Sequence, residues 1–329
     1  MKIEIRFVKR CLVLAFVGIL CLWVSFGEVM AVEKFPEKPI KLVVGYSPGG
    51  MSDLTTRMLA GLASEYLGQP VVVVNKPGAS ASIGAAEVAT SKPDGYTLGS
   101  IVMGPYLLSP FLLTVNYDPL KSLEPLLEFT AAPYGICVLN NAPWESYREL
   151  IEFARKNPGK LSVSTAGVGT NQHIAFEWIA KQEKIQWKHV PYPGGAPASA
   201  ALLGGHVKAT FGSGSHTSFV ESGKFRLLAS YSDTRYSVHP KVPTLKELGY
   251  DVPPSSAYFI APPKGVPEPI LKTLEDAFGK AANSQSFKKF LQTVYMEPEF
   301  RNREQLRTLI GTEYKRWREI MENLDLKIK

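Results

Sequence analysis

Tyr46-Ser47-Pro48-Gly49-Gly50-Met51-Ser52-Asp53 is the stretch that decides the fold, because of the sequence on either side of it. The apolar run Ile40 to Val44 precedes it and has the length and composition of a buried strand. Apolar residues about one helical turn apart follow it, at Leu54, Met58, Leu62 and Tyr66. A glycine turn between a strand and a helix directs unpaired backbone N–H groups at one point, with the positive end of the helix dipole behind them. The stretch therefore predicts an anion-binding turn that needs no charged side chain.

A second turn of the same design lies more than a hundred residues later, at Ser164-Thr165-Ala166-Gly167-Val168-Gly169-Thr170. It ends a strand predicted at Leu161 to Thr165 and opens a helix predicted at Asn171 to Lys181. Taken alone, the pattern is more typical of an ordinary turn with Thr170 as the helix N-cap. A dinucleotide site is set aside because Gln172 stands where the third glycine belongs. Two such turns in different lobes favour one anion shared between them.

Two further turns also enter helices, and each has a functional and a structural interpretation. Asn75 to Ser82, which includes Ala79, either walls the cleft or only reverses the chain. Tyr192 to Pro197 carries a tyrosine that either covers a ligand or packs in the core. His173 and Glu177 are four residues apart on one helix face, but no third metal ligand of matching spacing is evident. We therefore expect His173 to line or brace the cleft, with no metal and no cofactor.

The order of predicted elements indicates an α/β fold. Strands and helices alternate through most of the chain, which is typical of mostly parallel sheets covered by helices on both faces. Helical stripes near the C-terminus begin at Ile270 and at Leu306, and we expect these helices to pack back on the first lobe. Such a return would give two crossovers and a hinge.

The N-terminus has the pattern of a secretory signal peptide. Residues 1–10 carry four basic side chains, Cys11 to Phe26 is almost unbroken apolar sequence, and Val29-Met30-Ala31 supplies small residues for cleavage. The apolar run is about 16 residues, short for a bilayer span of roughly 20. We therefore expect cleavage after Ala31 and a periplasmic protein, with an uncleaved N-terminal anchor as the alternative.

Charge and cysteine content narrow the class of protein further. The formal net charge is +7, but basic residues are interspersed with acidic ones and form no stripe with aromatic residues, so nucleic-acid binding is not expected. Cys137 would be the one cysteine left after cleavage, so no intrachain disulfide is possible, and its apolar neighbours predict a buried strand residue.

Gly45-Tyr46-Ser47-Pro48-Gly49 formally matches the nucleophile-elbow pattern of serine hydrolases. The residue after the nucleophile normally gives its backbone N–H to the oxyanion hole, and Pro48 has none. An exported esterase that uses Ser47 is therefore kept only as an alternative.

Taken together, these motifs resemble the tripartite tricarboxylate transporter substrate-binding proteins, the Bug or TctC family of extracytoplasmic receptors. The resemblance spans essentially the whole mature chain. The matching segments include Pro48-Gly49-Gly50-x-x-Asp53-x-x-x-Arg57, Asn75-Lys76-Pro77-Gly78-Ala79, Pro93-Asp94-Gly95-Tyr96-Thr97-Leu98, Gly169-Thr170-x-x-His173 and Val190-Pro191-Tyr192-x-Gly194-Gly195-Ala196-Pro197-Ala198. Gly212 to His216 is unusually glycine-rich for a segment that often helps to set ligand choice in the family, so the ligand stays open.

The resemblance implies a type II periplasmic binding protein of two lobes, each with a mostly parallel sheet flanked by helices. We expect a signal peptide at 1–31, a first lobe of 32–130 plus 258–329, and a second lobe of 131–257. Backbone N–H groups and small hydroxyls of the two lobes are expected to hold one ligand carboxylate. The predicted ligand-binding residues are Ser47, Gly49, Gly50, Ser52, Asn75, Ala79, Thr165, Ala166, Gly167, Thr170, His173 and Tyr192.

The expected function is capture of a small organic anion, a mono- or dicarboxylate and possibly an aromatic acid, without catalysis. The expected partner is an ion-driven membrane permease of two subunits, and the receptor itself is expected to be a monomer. A receptor that passes its signal to a membrane kinase is the other alternative, since the binding event would be the same.

Overall fold

The structure is a computed structural model that describes residues 35–236 and 238–324, so the predicted signal peptide lies outside the described residues. The chain from Lys38 onward forms one compact unit built on two five-stranded sheets. In the first sheet the order is β2-β1-β3-β10-β4. Its strands are β1 (Ile40–Val44), β2 (Val71–Asn75), β3 (Thr97–Val102), β4 (Leu127–Ala131) and β10 (Ala257–Ala261).

The second sheet is formed by the middle of the chain, in the order β7-β6-β8-β5-β9. Its strands are β5 (Tyr134–Leu139), β6 (Ser162–Thr165), β7 (Lys188–Pro191), β8 (Ala209–Ser213) and β9 (Phe225–Ser230). Cys137 is buried in β5, as its apolar neighbours predicted.

The chain crosses between the two sheets twice, and the direction of each strand depends on these crossovers. The chain leaves the first sheet after β4 and returns to it before β10. The strand that follows each crossover is antiparallel to both of its neighbours: β5 pairs with β8 and β9, and β10 pairs with β3 and β4. The remaining strands of each sheet share one direction, so the prediction of two mostly parallel sheets joined by two crossovers is confirmed.

Helices cover the faces of both sheets. Those that follow strands of the first sheet are α1 (Met51–Leu67), α2 (Ser82–Ala89) and α3 (Met103–Leu112). Those of the second sheet are α4 (Tyr147–Lys156), α5 (Asn171–Glu183), α6 (Gly195–Leu203) and α7 (Thr217–Glu221). The C-terminal helices are α8 (Glu268–Asn283), α9 (Gln285–Thr293) and α10 (Arg303–Asn323). None of the helices in the described part of the chain is long and apolar enough to cross a bilayer.

The C-terminal helices pack on the helices and strands of the first sheet. Helix α8 packs against α1, and α10 packs against α3 and β4. Trp317 of α10 is fully buried and donates its indole N–H to the hydroxyl of Ser255 at 2.7 Å. Arg301 donates to the buried carboxylate of Glu128 on β4 at 2.5 Å, which gives that charge a partner. These contacts hold the C-terminal helices against the first sheet and its helices.

Candidate functional site

The first glycine turn is held in shape by side chains that follow it. Gly49 has φ of 81°, a conformation that favours glycine, and its N–H donates to the Asp53 carboxylate at 2.9 Å. The Asn75 amide donates to Asp53 at 2.8 Å and to the carbonyl of Tyr46 at 2.9 Å. Arg57 lies 2.9 Å from the same carboxylate. Asp53 therefore braces the turn from behind.

The electrostatics of Asp53 suit that bracing role. Burial by itself would raise the pKa of this carboxyl, but the hydrogen bonds from Arg57, Gly49 and Asn75 outweigh burial and hold the pKa below its usual value. The carboxylate stays ionised, and its oxygens accept the hydrogen bonds from these three residues. Its negative charge is thus compensated before any anion approaches the turn.

The second glycine turn is fastened by its own hydroxyls. The Thr170 hydroxyl donates to the carbonyl of Gly167 at 2.9 Å and accepts from the His173 N–H at 3.3 Å, which makes Thr170 the N-cap of α5. The Thr165 hydroxyl lies 2.7 Å from Nε2 of His189 and accepts from the Gly167 N–H at 3.3 Å. Both hydroxyls are therefore committed to the turn.

Two stacked histidines contact the second glycine turn. The rings of His173 and His189 lie 4.1 Å apart between centroids, and Nδ1 of His173 accepts from the Gly169 N–H at 3.1 Å. Burial lowers the pKa of His173 to about 3 and that of His189 to about 4, so both rings are neutral near pH 7. Glu177 lies 3.8 Å from Nε2 of His173. Within the described residues, no group of three side chains could hold a metal ion.

A cleft of about 540 Å³, partly open to solvent, lies between the two turns. Ser47, Gly50 and Ser52 of the first turn and Ala166 of the second line it. Among the described residues that line it, none carries a charged side chain or an imidazole. A serine hydrolase would need a histidine beside Ser47, so the geometry gives the esterase alternative no support.

Three helix N-termini reach this cleft. Met51 and Ser52 begin α1, Asn171 and Gln172 begin α5, and Gly195 begins α6. The first N–H groups of a helix have no partner inside it and carry the positive end of its dipole. The Ser52 hydroxyl is also buried without a hydrogen-bond partner among the described residues. Together these groups make a neutral-walled site with a positive potential, which suits a carboxylate.

The structure divides the twelve predicted site residues into three groups. The first group lines the cleft: Ser47, Gly50, Ser52 and Ala166. The second group lines an adjoining cavity of about 730 Å³ that shares Tyr46, Ala166 and Pro193 with the cleft: Ala79, Gly167 and Tyr192. The third group lines neither space and fastens the turns instead: Gly49, Asn75, Thr165, Thr170 and His173.

Sequence reasoning missed several residues that line the cleft. Asn171 and Gln172 are buried in the cleft wall. The sequence feature that could have identified them is their position as the first two residues of α5, directly after the second glycine turn. Gly195 approaches Ser213 so closely that a Cβ would lie 2.3 Å from the serine hydroxyl. Tyr134 and Tyr258 come from the two strands that follow the crossovers. Only the fold brings these distant residues to one place.

The bracing role of Asn75 leads to a first prediction. Asn75→Ala removes the hydrogen bonds to Tyr46 and Asp53, so the first turn loses its fixed geometry. We expect affinity for the bound anion to fall about tenfold, equivalent to about 1.4 kcal/mol, in isothermal titration calorimetry. Asn283→Ala, at the exposed end of α8, is the matched control and should change nothing. Equal affinity of Asn75→Ala and the parent protein would contradict the bracing role.

Comparison with known proteins agrees with this geometry. The family described as "Tripartite tricarboxylate transporter family receptor" matches residues 55–326, so the chain belongs to that family. The "UPF0065 protein in gbd 5'region" of Cupriavidus necator is 38% identical and aligns over 89% of this chain and 90% of its own length.

Solved structures give the same result. The periplasmic binding protein BugD superposes with a TM-score of 0.80 at 29% identity and covers 89% of this chain and 99% of its own. The structure of "R. palustris Rpa4515 with adipate" superposes with a TM-score of 0.81 at 27% identity and covers 88% of this chain and 98% of its own.

Proposed function

We propose that this member of the tripartite tricarboxylate transporter receptor family is a periplasmic receptor that captures a small organic acid anion. The single observation that supports it is the convergence of three helix N-termini on a cleft whose lining residues carry no charge. Unpaired N–H groups at helix starts favour negative charge, and the surrounding prolines and tyrosines suit an organic body. The adipate in the R. palustris structure is an acid of this kind.

The adjoining cavity bears on the size of the ligand. Its walls, from Ala79, Gly167 and Tyr192, carry no charged side chain, and it meets the cleft at Tyr46 and Ala166. One carboxylate would occupy the cleft, and the rest of a mono- or dicarboxylate would extend into this space. Aromatic acids are included, since Tyr46, Tyr134 and Tyr258 line the cleft.

Capture would be coupled to closure of two lobes, residues 32–130 with 258–329 and residues 131–257. The Ser80 hydroxyl donates to the carbonyl of Val168 on the other side of the cleft, and the Asn171 amide donates to the carbonyl of Pro254 in the second crossover. A ligand that touches both turns favours the closed arrangement by its contacts with each. The closed receptor, a monomer released by cleavage after Ala31, would deliver its ligand to a permease of two subunits.

Ligand identity is the direct test of this proposal. Protein purified from its own periplasm and denatured should release an organic acid detectable by mass spectrometry. In calorimetry, that acid should bind the stripped receptor, whereas its amide, which lacks the negative charge, should bind at least a hundredfold more weakly. Adipate serves as the first acid in the panel. Equal binding of acid and amide, or no binding by any organic acid in a broad panel, would overturn the proposal.

A further inference from the structure

The end of the second crossover, just before β10, changes its hydrogen-bond partners between two consecutive residues. The carbonyl of Pro254 accepts from the side-chain amide of Asn171, the first residue of α5, which packs against the second sheet. The carbonyl of Ser255 accepts instead from the N–H of Gly104 in α3, which packs against the first sheet, at 3.1 Å. A rotation of one sheet with its helices against the other would therefore be concentrated at Ser255.

The backbone of Ser255 is itself unusual. Its φ is 44°, in the left-handed region that residues with a side chain seldom occupy. The two residues before it, Pro253 and Pro254, have φ values fixed by their rings, and the carbonyl of Pro253 accepts from the Tyr231 hydroxyl. A residue keeps such a conformation only where its surroundings enforce it. Ser255 is thus a strained position directly after a stiff segment.

The first crossover lies beside this position and changes partners in the same way. The N–H of Ala132 donates to the carbonyl of Ser256 at 2.9 Å, so the two crossovers are joined to each other. The carbonyl of the next residue, Pro133, accepts from the N–H of Gly214, in the segment after β8, at 2.8 Å. A hinge consists of a few residues that absorb the change in φ and ψ, and these two crossovers place such residues next to each other.

Two side chains of α10 hold Ser255 in its left-handed conformation. The Ser255 hydroxyl accepts from the indole N–H of Trp317 at 2.7 Å and donates to the carboxylate of Glu313 at 2.6 Å. All three residues are buried. The other carboxylate oxygen of Glu313 accepts from Arg316 at 3.3 Å, which fixes its orientation. Since α10 packs on α3 and β4, these bonds fasten Ser255 to the elements of the first sheet.

Asn171 connects this position to the anion site. It lines the cleft at the start of α5, and its amide binds Pro254, one residue before Ser255. A change in the backbone of Ser255 would move Pro254 and Asn171 together, relative to the first glycine turn. The separation of the two glycine turns would then depend on how firmly Ser255 is held.

We propose that Ser255 is the pivot of closure and that Glu313 and Trp317 are positioning residues, which favour the arrangement in which both glycine turns face one cleft. None of the three lines the cleft, so they act on binding through the position of the turns. Loosening the pivot lowers the fraction of receptor that is competent to bind, and the apparent affinity falls by the same factor. The inference rests on the proposed function for its binding readout alone.

Spin labels in the ligand-free receptor test the pivot without any ligand. Lys92→Cys, before β3, and Lys160→Cys, before β6, introduce exposed label sites on the two sides, while Cys137 is buried. Ser255→Gly removes the hydroxyl, and glycine accepts the left-handed conformation, so the variant should fold. We expect it to at least double the fraction of molecules outside the main distance peak in double electron–electron resonance. Identical distance distributions in variant and parent protein would overturn the proposal.

Calorimetry measures the consequence for binding. With the organic acid identified by mass spectrometry of the purified receptor, Ser255→Gly should bind about fivefold more weakly than the parent protein. Ser286→Gly makes the same substitution at an exposed position of α9 and should change neither the affinity nor the distances. If no organic acid binds the parent protein, the proposed function fails, and the spin-label distances still decide the role of Ser255. Equal affinity of Ser255→Gly and Ser286→Gly would contradict the pivot.

A conservative variant separates positioning by Glu313 from a general loss of stability. Glu313→Gln keeps a side-chain oxygen that can accept from the Ser255 hydroxyl, whereas Glu313→Leu does not. We expect the affinity of Glu313→Gln to stay within about twofold of the parent protein, and that of Glu313→Leu to fall about as far as in Ser255→Gly. Equal affinities of the two Glu313 variants would show that this carboxylate does not position the pivot.

Discussion

Gly50→Val is expected to weaken binding of a carboxylate ligand at least a hundredfold while the receptor stays folded. Gly50 is the N-cap of α1, and its φ of −79° and ψ of 167° are open to any residue. A Cβ at this position has no heavy atom nearer than the Ser47 carbonyl oxygen, at 3.7 Å. The protein therefore has room for the first added carbon. The cleft, however, has no room for the whole side chain. Gly50 lines it, so the valine methyl groups would occupy the space next to the first N–H groups of α1.

The expected changes in affinity and stability differ in size. A hundredfold loss of affinity corresponds to about 2.7 kcal/mol. Valine is a poorer N-cap than glycine, but that change should cost only about 1 kcal/mol of stability. Calorimetry with the co-purified acid measures the first quantity, and urea unfolding measures the second.

Gly61→Val is the matched control, since Gly61 lies on the exposed side of the same helix with no atom within 4 Å of an added Cβ. It introduces the same side chain into α1 and should leave affinity unchanged. Full affinity in Gly50→Val, or equal loss in both variants, would show that the start of α1 does not hold the anion.

Acidification is expected to destabilise the receptor strongly between pH 6.5 and 4.5. Burial lowers the pKa of His173, His189 and His216 to about 3, 4 and 3, all below the ordinary value of 6.5. Each neutral ring contributes stability that is present above pH 6.5 and is lost as pH falls through the folded pKa. The unfolded chain takes up these protons first, so acid favours unfolding.

Glu128 acts in the opposite direction over the same range. Burial, partly offset by Arg301, raises the pKa of Glu128 to about 7, so its contribution is present below pH 4.5 and is lost as pH rises through 7. Burial also raises the pKa of Glu177 and Glu313, so these two carboxyl groups act with Glu128 against the three histidines. The lowered histidine pKa values have the larger combined effect, and each proton is worth up to about 1.4 kcal/mol per pH unit. We therefore expect the free energy of unfolding to fall by about 3 kcal/mol on acidification from pH 6.5 to 4.5.

Urea unfolding at pH 7.5, 6.5, 5.5 and 4.5 measures this dependence. His189→Gln can keep a hydrogen bond to Thr165 but cannot be protonated, so its stability should fall less steeply with acid. His206→Gln, at an exposed position, should follow the parent protein. Parallel pH profiles for parent protein and His189→Gln would show that this buried ring does not control acid stability.

The sequence was most informative where the signal is local. Tyr46 to Asp53 predicts an anion-binding turn because a strand, a glycine turn and a helix follow one another directly, and the structure has that arrangement. Helix α3 was not anticipated, because all of its residues from Met103 to Ser109 are buried and no amphipathic period marks it. Its Pro110 also conceals the helical pattern.

The residues that form the site could be predicted from the sequence less completely than the fold. Thr165 and Thr170 have hydroxyls that a ligand could use, and sequence alone cannot tell that His189 and the Gly167 carbonyl already engage them. The start of α6 at Gly195 joins the cleft only because β7 and β6 are adjacent in the second sheet. Such pairings depend on contacts between residues far apart in the chain.

An anchor made of main chain has a particular response to mutation. Every residue except proline has a backbone N–H, so any other replacement at Gly50 or Ala166 leaves in place the groups that we propose hold the anion and can only obstruct them. At these two positions we therefore expect selection against large side chains and no selection for a particular functional group. The other residues that line the cleft, such as Tyr46 and Tyr258, are not restricted to small side chains. Under the proposed function, related receptors would therefore exchange one organic acid for another by changes in the wall residues alone, while the main-chain contacts to the carboxylate stay the same.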